Sequence, residues 1–132
     1  MKKIFILSVL CMIALTSVFA QATDDKQAEI KFEKTTYNFG TFPEKDGKVS
    51  CVFKFKNTGN ASLIIHQAIA SCGCTVPKYT KEPIEPGESG TIEIHYNGKG
   101  RNPGYFKKSI TVRTNAKNKV TRLYIEGTMN KD

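Results

Sequence analysis

Apolar and polar residues alternate along most of this chain in runs of strand length, and glycine, proline or asparagine closes each run. In 49–56, Val49, Cys51, Phe53 and Phe55 fall on one face and Ser50, Lys54 and Lys56 on the other, with Val52 the one misfit. A period of two with one apolar face marks a half-buried β-strand, because successive side chains point to opposite sides. Asn57-Thr58-Gly59-Asn60 follows as a turn, where glycine and asparagine take positive φ at little cost. Residues 63–70 are apolar nearly throughout, which predicts a strand covered on both faces or bulged.

Pro86-Gly87 fits a type II turn, with proline fixing φ at the first central position and glycine accepting positive φ at the second. It leads into 91–96, where Ile92, Ile94 and Tyr96 share one face and Glu93 and His95 the other. Residues 97–104 read as a long mobile connection, 105–114 as a strand with Ile110 and Val112 inward, and 121–128 as a closing strand with Leu123 and Ile125 inward. An opening strand, or a bent pair, around 30–32 and 37–42 brings the count to about seven. No segment has a helical period. The expected fold is all-β, an immunoglobulin-like antiparallel sandwich spanning residues 29–132.

The first twenty residues follow another pattern. Lys2 and Lys3 precede the apolar run 4–15, and Val18 and Ala20 place small residues at −3 and −1 of a cut before Gln21. This predicts a cleaved secretory signal over 1–20, too short for a membrane span, followed by a flexible polar leader over 21–28. Cys11 lies inside the apolar run, with Leu10 where a lipidation signal needs a small residue, so a lipoprotein is not expected. After cleavage no further apolar run reaches membrane length, and one domain's worth of chain remains.

The formal charge is +8, two of those charges being Lys2 and Lys3. The remaining basic residues are scattered and alternate with apolar ones, as at Lys54, Lys56, Lys107 and Arg113, which is how solvated strand faces look. No nucleic-acid motif accompanies them, so nucleic acid is not an expected partner. An anionic polymer of the cell envelope, or an envelope protein, is.

Chemistry-bearing residues are few. Cys51, Cys72 and Cys74 survive cleavage of the signal, an odd number that cannot all pair within one monomer. Cys51 sits on an inward strand face, where a thiol behaves as a small hydrophobe, and the late strand 105–114 offers no cysteine for an antibody-type bridge. Cys72-Gly73-Cys74 is the sharpest local feature, and three readings of it stay open. It is a structural pair or short-ring disulfide, as an oxidising compartment favours. It is a redox-active pair, a strained disulfide being the more easily reduced. Or it is a metal site for copper or zinc, with His66, or else His95, as third ligand beside Cys72 and Cys74. Both histidines otherwise read as strand-surface residues without catalytic spacing. Ser71 and Ser89 lack a nucleophile-elbow context, and Glu82, Glu85 and Glu88 read as a solvated turn. No phosphate loop, dinucleotide fingerprint or zinc-protease motif is present, so no catalytic residue is assigned.

Tyr37-Asn38-Phe39-Gly40, the run Phe53-Lys54-Phe55-Lys56-Asn57-Thr58-Gly59, Ser71-Cys72-Gly73-Cys74-Thr75 and Ile84-Glu85-Pro86-Gly87 together resemble a bacterial domain-of-unknown-function family. Residues 29–128 carry the resemblance, and the SCGCT run is its specific element. It implies an immunoglobulin-like fold, export by Gram-negative bacteria and a more distant likeness to major-sperm-protein-like and hydin-type domains, which are chiefly protein-binding modules. The sequence therefore predicts a non-catalytic binding or assembly module of the envelope, exported to the periplasm first, with the cell surface or the extracellular space as the alternatives. The alternative is a metal-handling or thiol-redox protein centred on Cys72-Gly73-Cys74.

Overall fold

The computed structural model describes residues 26–132. The expected signal at 1–20 and residues 21–25 of the leader lie outside the described residues. Eight strands follow in order: β1 Ile30–Phe32, β2 Thr36–Pro43, β3 Lys48–Asn57, β4 Ile65–Ala70, β5 Thr75–Tyr79, β6 Ser89–Asn97, β7 Gly104–Thr114 and β8 Val120–Asn130. A single 3₁₀ turn, Glu44–Asp46, joins β2 to β3. The strands make two four-stranded sheets, ordered β1-β3-β6-β5 and β2-β8-β7-β4.

The two inward faces meet as a sandwich. Phe55, Ile92 and Ile94 from the first sheet and Ile110, Val112, Leu123, Ile125 and Met129 from the second are all shielded from solvent. Each such side chain contributes ~1.5–3 kcal/mol by leaving water. At one end Asn57 is completely buried and completely satisfied. Its Nδ2 donates to the carbonyls of Ala61 at 2.7 Å and Ile84 at 2.9 Å, and its Oδ1 accepts from the N–H of Gly59 at 3.0 Å and of Glu29 at 3.3 Å. One side chain thus joins the lead-in to β1, the turn after β3 and the loop before β6.

Four features differ from the sequence reading. First, β5 was not expected; it is short, and Pro77 at its centre hides the strand pattern. Second, the sandwich is not wholly antiparallel, because β2 pairs with β8 in parallel. The chain leaves the first sheet after Phe32 and joins the second at Thr36 without reversing, so it arrives alongside the last strand in the same sense. Third, the described end of the expected leader, residues 27 and 28, is held against the sandwich. Ala28 is buried, Lys117 N–H donates to its carbonyl at 2.8 Å, and Gln27 and Asn60 exchange hydrogen bonds. Fourth, the connection after β6 is tethered: Gly98 N–H donates to the Gly47 carbonyl at 2.8 Å, and Gly98 is buried. Of the two readings of 63–70, covered on both faces or bulged, the structure has the bulge, between Ile65 and Gln67; one face is open, with Ile64 and Ile69 exposed, and Leu63 leaves the strand to bridge Ile84. The Pro86-Gly87 turn has Gly87 at φ +83° and is closed by Glu88 N–H donating to the Glu85 carbonyl.

Candidate functional site

Cys72 and Cys74 lie on the corner where the chain passes from β4, an edge of one sheet, to β5, an edge of the other. They are joined by a disulfide, with their Cα atoms 5.2 Å apart. Hydrogen bonds hold both flanks of the corner. Ser71 N–H donates to the Ser109 carbonyl at 2.9 Å, and Ser109 N–H donates back to Ser71 Oγ at 3.2 Å. Thr75 N–H donates to the Cys72 carbonyl at 3.1 Å, and Asn97 N–H to the Cys74 carbonyl at 2.8 Å. A ring closed over so short a span removes little entropy from the unfolded chain, roughly 1.5 kcal/mol against ~4.7 for a 100-residue loop. The two cysteines differ in exposure: Cys72 is half-buried, while Cys74 is only 7% exposed. Gly73 between them faces open space.

The histidines named from the sequence part company. His66 sits at the bulge at the start of β4, six residues from Cys72 and so roughly 20 Å away along the chain at ~3.3 Å per residue. The structure does not bring it to the cysteines. His95 lines a shallow depression of about 300 Å³ together with Gly73, Cys74, Lys48 and Asn97, and its Nε2 lies 2.7 Å from Glu93 Oε1. Among the described residues, no group of three or more His, Cys, Asp or Glu side chains could hold a metal ion. Cys51 is free and buried on β3, with β6 standing between it and β5. Burial alone pushes its thiol pKa up to about 12.

The sequence reading missed the sheet edges, where the backbone itself carries the chemistry. Asn97 N–H bonding to the Cys74 carbonyl fixes the ladder phase of β5: Val76 and Lys78 turn their backbone groups toward β6, and Thr75, Pro77 and Tyr79 turn theirs outward. Pro77 has no N–H, so this edge lacks a donor at its centre, a common protection against strand addition. The other edge of the same sheet is different. Glu33 N–H donates to the Lys54 carbonyl at 3.0 Å, which puts the backbone groups of Lys48, Ser50 and Val52 on the side away from β6. β1 covers only Phe55 to Asn57 of β3 before it departs. The flank from Lys48 to Val52 therefore has no strand beside it among the described residues, and Lys48, Ser50 and Val52 are all exposed.

Lysines gather beyond the Val52 end of this flank. Lys31 and Lys56 stand directly opposite each other on β1 and β3, a like-charged pairing that costs stability, and Lys54 is next to them. With Ser89 and Thr91 they line a depression of about 610 Å³ on the outer face. On the other sheet the exposed polar groups satisfy one another. Tyr105 donates to Glu126 Oε2 at 2.7 Å, which raises the tyrosine's pKa, and Lys107 Nζ lies 4.9 Å from the Tyr124 ring centroid. No helix among the described residues is long and apolar enough to cross a membrane.

Comparison with known proteins agrees with the resemblance carried by the SCGCT run. None of the curated proteins matches the sequence. Among solved structures, a protein of unknown function from Porphyromonas gingivalis W83 is similar at 16% identity and a TM-score of 0.66, over 78% of this chain and 48% of that one. The ASH/PapD-like domain 7 of human CEP192 is similar at 11% identity and a TM-score of 0.61, over 81% and 89%. The periplasmic chaperone SfaE is similar at 13% identity and a TM-score of 0.53, over 78% and 58%. The chain spans about half the length of the Porphyromonas protein. At such identities the likeness carries the fold alone, an immunoglobulin-like sandwich of PapD-like type. The family described as protein of unknown function (DUF1573) matches residues 30–129, and the chain belongs to it.

Proposed function

We propose that this DUF1573 protein is an exported, non-catalytic binding module of the cell envelope that takes up an extended segment of a partner protein along β3. The observation that carries the reading is the open flank from Lys48 to Val52, where backbone donors and acceptors face outward with no neighbouring strand among the described residues. An added strand gains main-chain hydrogen bonds there, and its alternate side chains meet Val52, which is 49% exposed. The opposite edge, guarded by Pro77, does not offer the same ladder. Lys31, Lys54 and Lys56 beyond the flank's Val52 end outnumber Glu33, which lines the same depression, and Glu93, opposite Val52, and so favour an acidic segment.

The test is saturable binding of envelope proteins to the full exported chain at physiological salt, repeated with Val52→Pro. Proline there removes an outward N–H without touching the β3–β6 ladder. Loss of binding in a folded Val52→Pro chain supports the reading, and undiminished binding rules out this flank. Binding that survives only at low salt would instead mark an anionic polymer held by the lysines alone.

A further inference from the structure

We propose that the Cys72–Cys74 bridge is an exchangeable disulfide that oxidises a dithiol partner, attacked at Cys72 and leaving at Cys74. This concerns a different site from the β3 flank and stands independently of it. The corner is already held by the Ser71–Ser109 pair and by the Thr75–Cys72 and Asn97–Cys74 backbone bonds. The bridge can therefore open without releasing either strand it joins. A disulfide spanning two residues, redundant as a staple and set on an exposed corner, fits exchange better than reinforcement.

The surroundings give the exchange a direction. Cys72 is the more exposed of the two cysteines, and Gly73 beside it faces open space. Cys74 is buried, and the Thr75 hydroxyl lies 3.5 Å from its sulfur; a disulfide sulfur has no proton, so the hydroxyl is the donor. Cys74 also lines the depression that holds Lys48 and His95. The Cys74 N–H in turn donates to Cys72 Sγ at 3.2 Å. Each sulfur thus has a built-in donor for the thiolate it becomes, and hydrogen bonding to a thiolate makes a sulfur the better leaving group.

The step balances as follows. A partner thiolate attacks Cys72 Sγ, a bond forms between partner sulfur and Cys72, the Cys72–Cys74 bond breaks, and its electron pair leaves on Cys74 Sγ, which takes a proton from water. The partner's second thiolate then attacks its own sulfur in the mixed disulfide and expels Cys72 as a thiolate. The partner loses two electrons and becomes a disulfide, and this chain ends as a dithiol.

The experiment uses the full exported chain, oxidised, with reduced glutathione as probe, acid quenching and fragment mass spectrometry to place the adduct. The expected result is a glutathione adduct at Cys72 while far-ultraviolet circular dichroism stays native. Thr75→Val should slow adduct formation several-fold without moving its site. In single variants, Cys74→Ser should take up oxidised glutathione at Cys72 at least ~10-fold faster than Cys72→Ser does at Cys74, because reactivity follows thiolate character and access. Addition at Cys74 as readily as at Cys72, or a bridge that resists glutathione until denaturant is added, would overturn the proposal. The adduct map on the unmutated chain decides the matter even where a variant does not fold.

Discussion

The backbone N–H of Glu33 donates to the carbonyl of Lys54 at 3.0 Å, and it is the last rung between the opening of the chain and β3. Past it the chain crosses to the other sheet, and among the described residues no strand pairs with this side of β3 over half its length. The same rung fixes the ladder phase, so it tells which residues of β3 face the empty side.

Proline substitution should read that phase directly. Val52→Pro keeps every β3–β6 bond and is expected to cost no more than about 1 kcal/mol, the tolerance of an edge position. Cys51→Pro, one residue away, removes a donor aimed at Ile94 across the ladder and should cost at least ~1–3 kcal/mol for the orphaned carbonyl alone. Urea melts of the two variants give the comparison; equal losses would mean the phase is misassigned.

Asn57 should be among the most sensitive polar positions. Asn57→Asp is nearly isosteric, yet it loses both donors to Ala61 and Ile84 and sets a carboxylate against their carbonyls. A loss of ~3 kcal/mol or more is expected at neutral pH, since a buried acceptor without its donor carries the full desolvation cost. Protonation restores one donor, so the carboxyl's folded-state pKa is raised and the variant's deficit should shrink as pH falls. Melts at neutral and acid pH measure this, and a pH-independent deficit would contradict it.

Cys51 should make alkaline stability fall. Its pKa is about 12 folded, against the ordinary thiol value of 9.0 in the unfolded chain. The unfolded state therefore loses the proton first, and stability that is complete below pH 9 declines as pH rises toward 12. The slope from this one group approaches ~1.36 kcal/mol per pH unit. It should be missing from Cys51→Ala when the two proteins are compared by denaturant melts across that range. The native thiol should also resist alkylation until the chain unfolds.

Replacing both bridge cysteines by serine should leave the sandwich folded. The expected loss is roughly 1.5 kcal/mol or less, because the ring is short and its flanks are hydrogen-bonded without it. Collapse of the fold, seen by circular dichroism, would show that the bridge is a necessary staple.

Much of the sandwich is legible in the sequence because burial on a strand repeats every second residue. The alternation of Val49, Cys51, Phe53 and Phe55, of Ile92, Ile94 and Tyr96, and of Leu123 and Ile125 needs no knowledge of partners, and each set faces the core. The turn at Pro86-Gly87 and the cysteine pair are equally local. β5 escaped because Pro77 breaks the pattern, and Asn57 read as a turn residue because its four partners are spread over the chain. Pairing was decided only by tertiary structure. Which strand lies beside which depends on contacts between distant residues, so β2 joining β8, the open flank of β3, the separation of His66 from Cys72 and the closeness of His95 to Cys74 emerge only when the two sheets close on their shared apolar face.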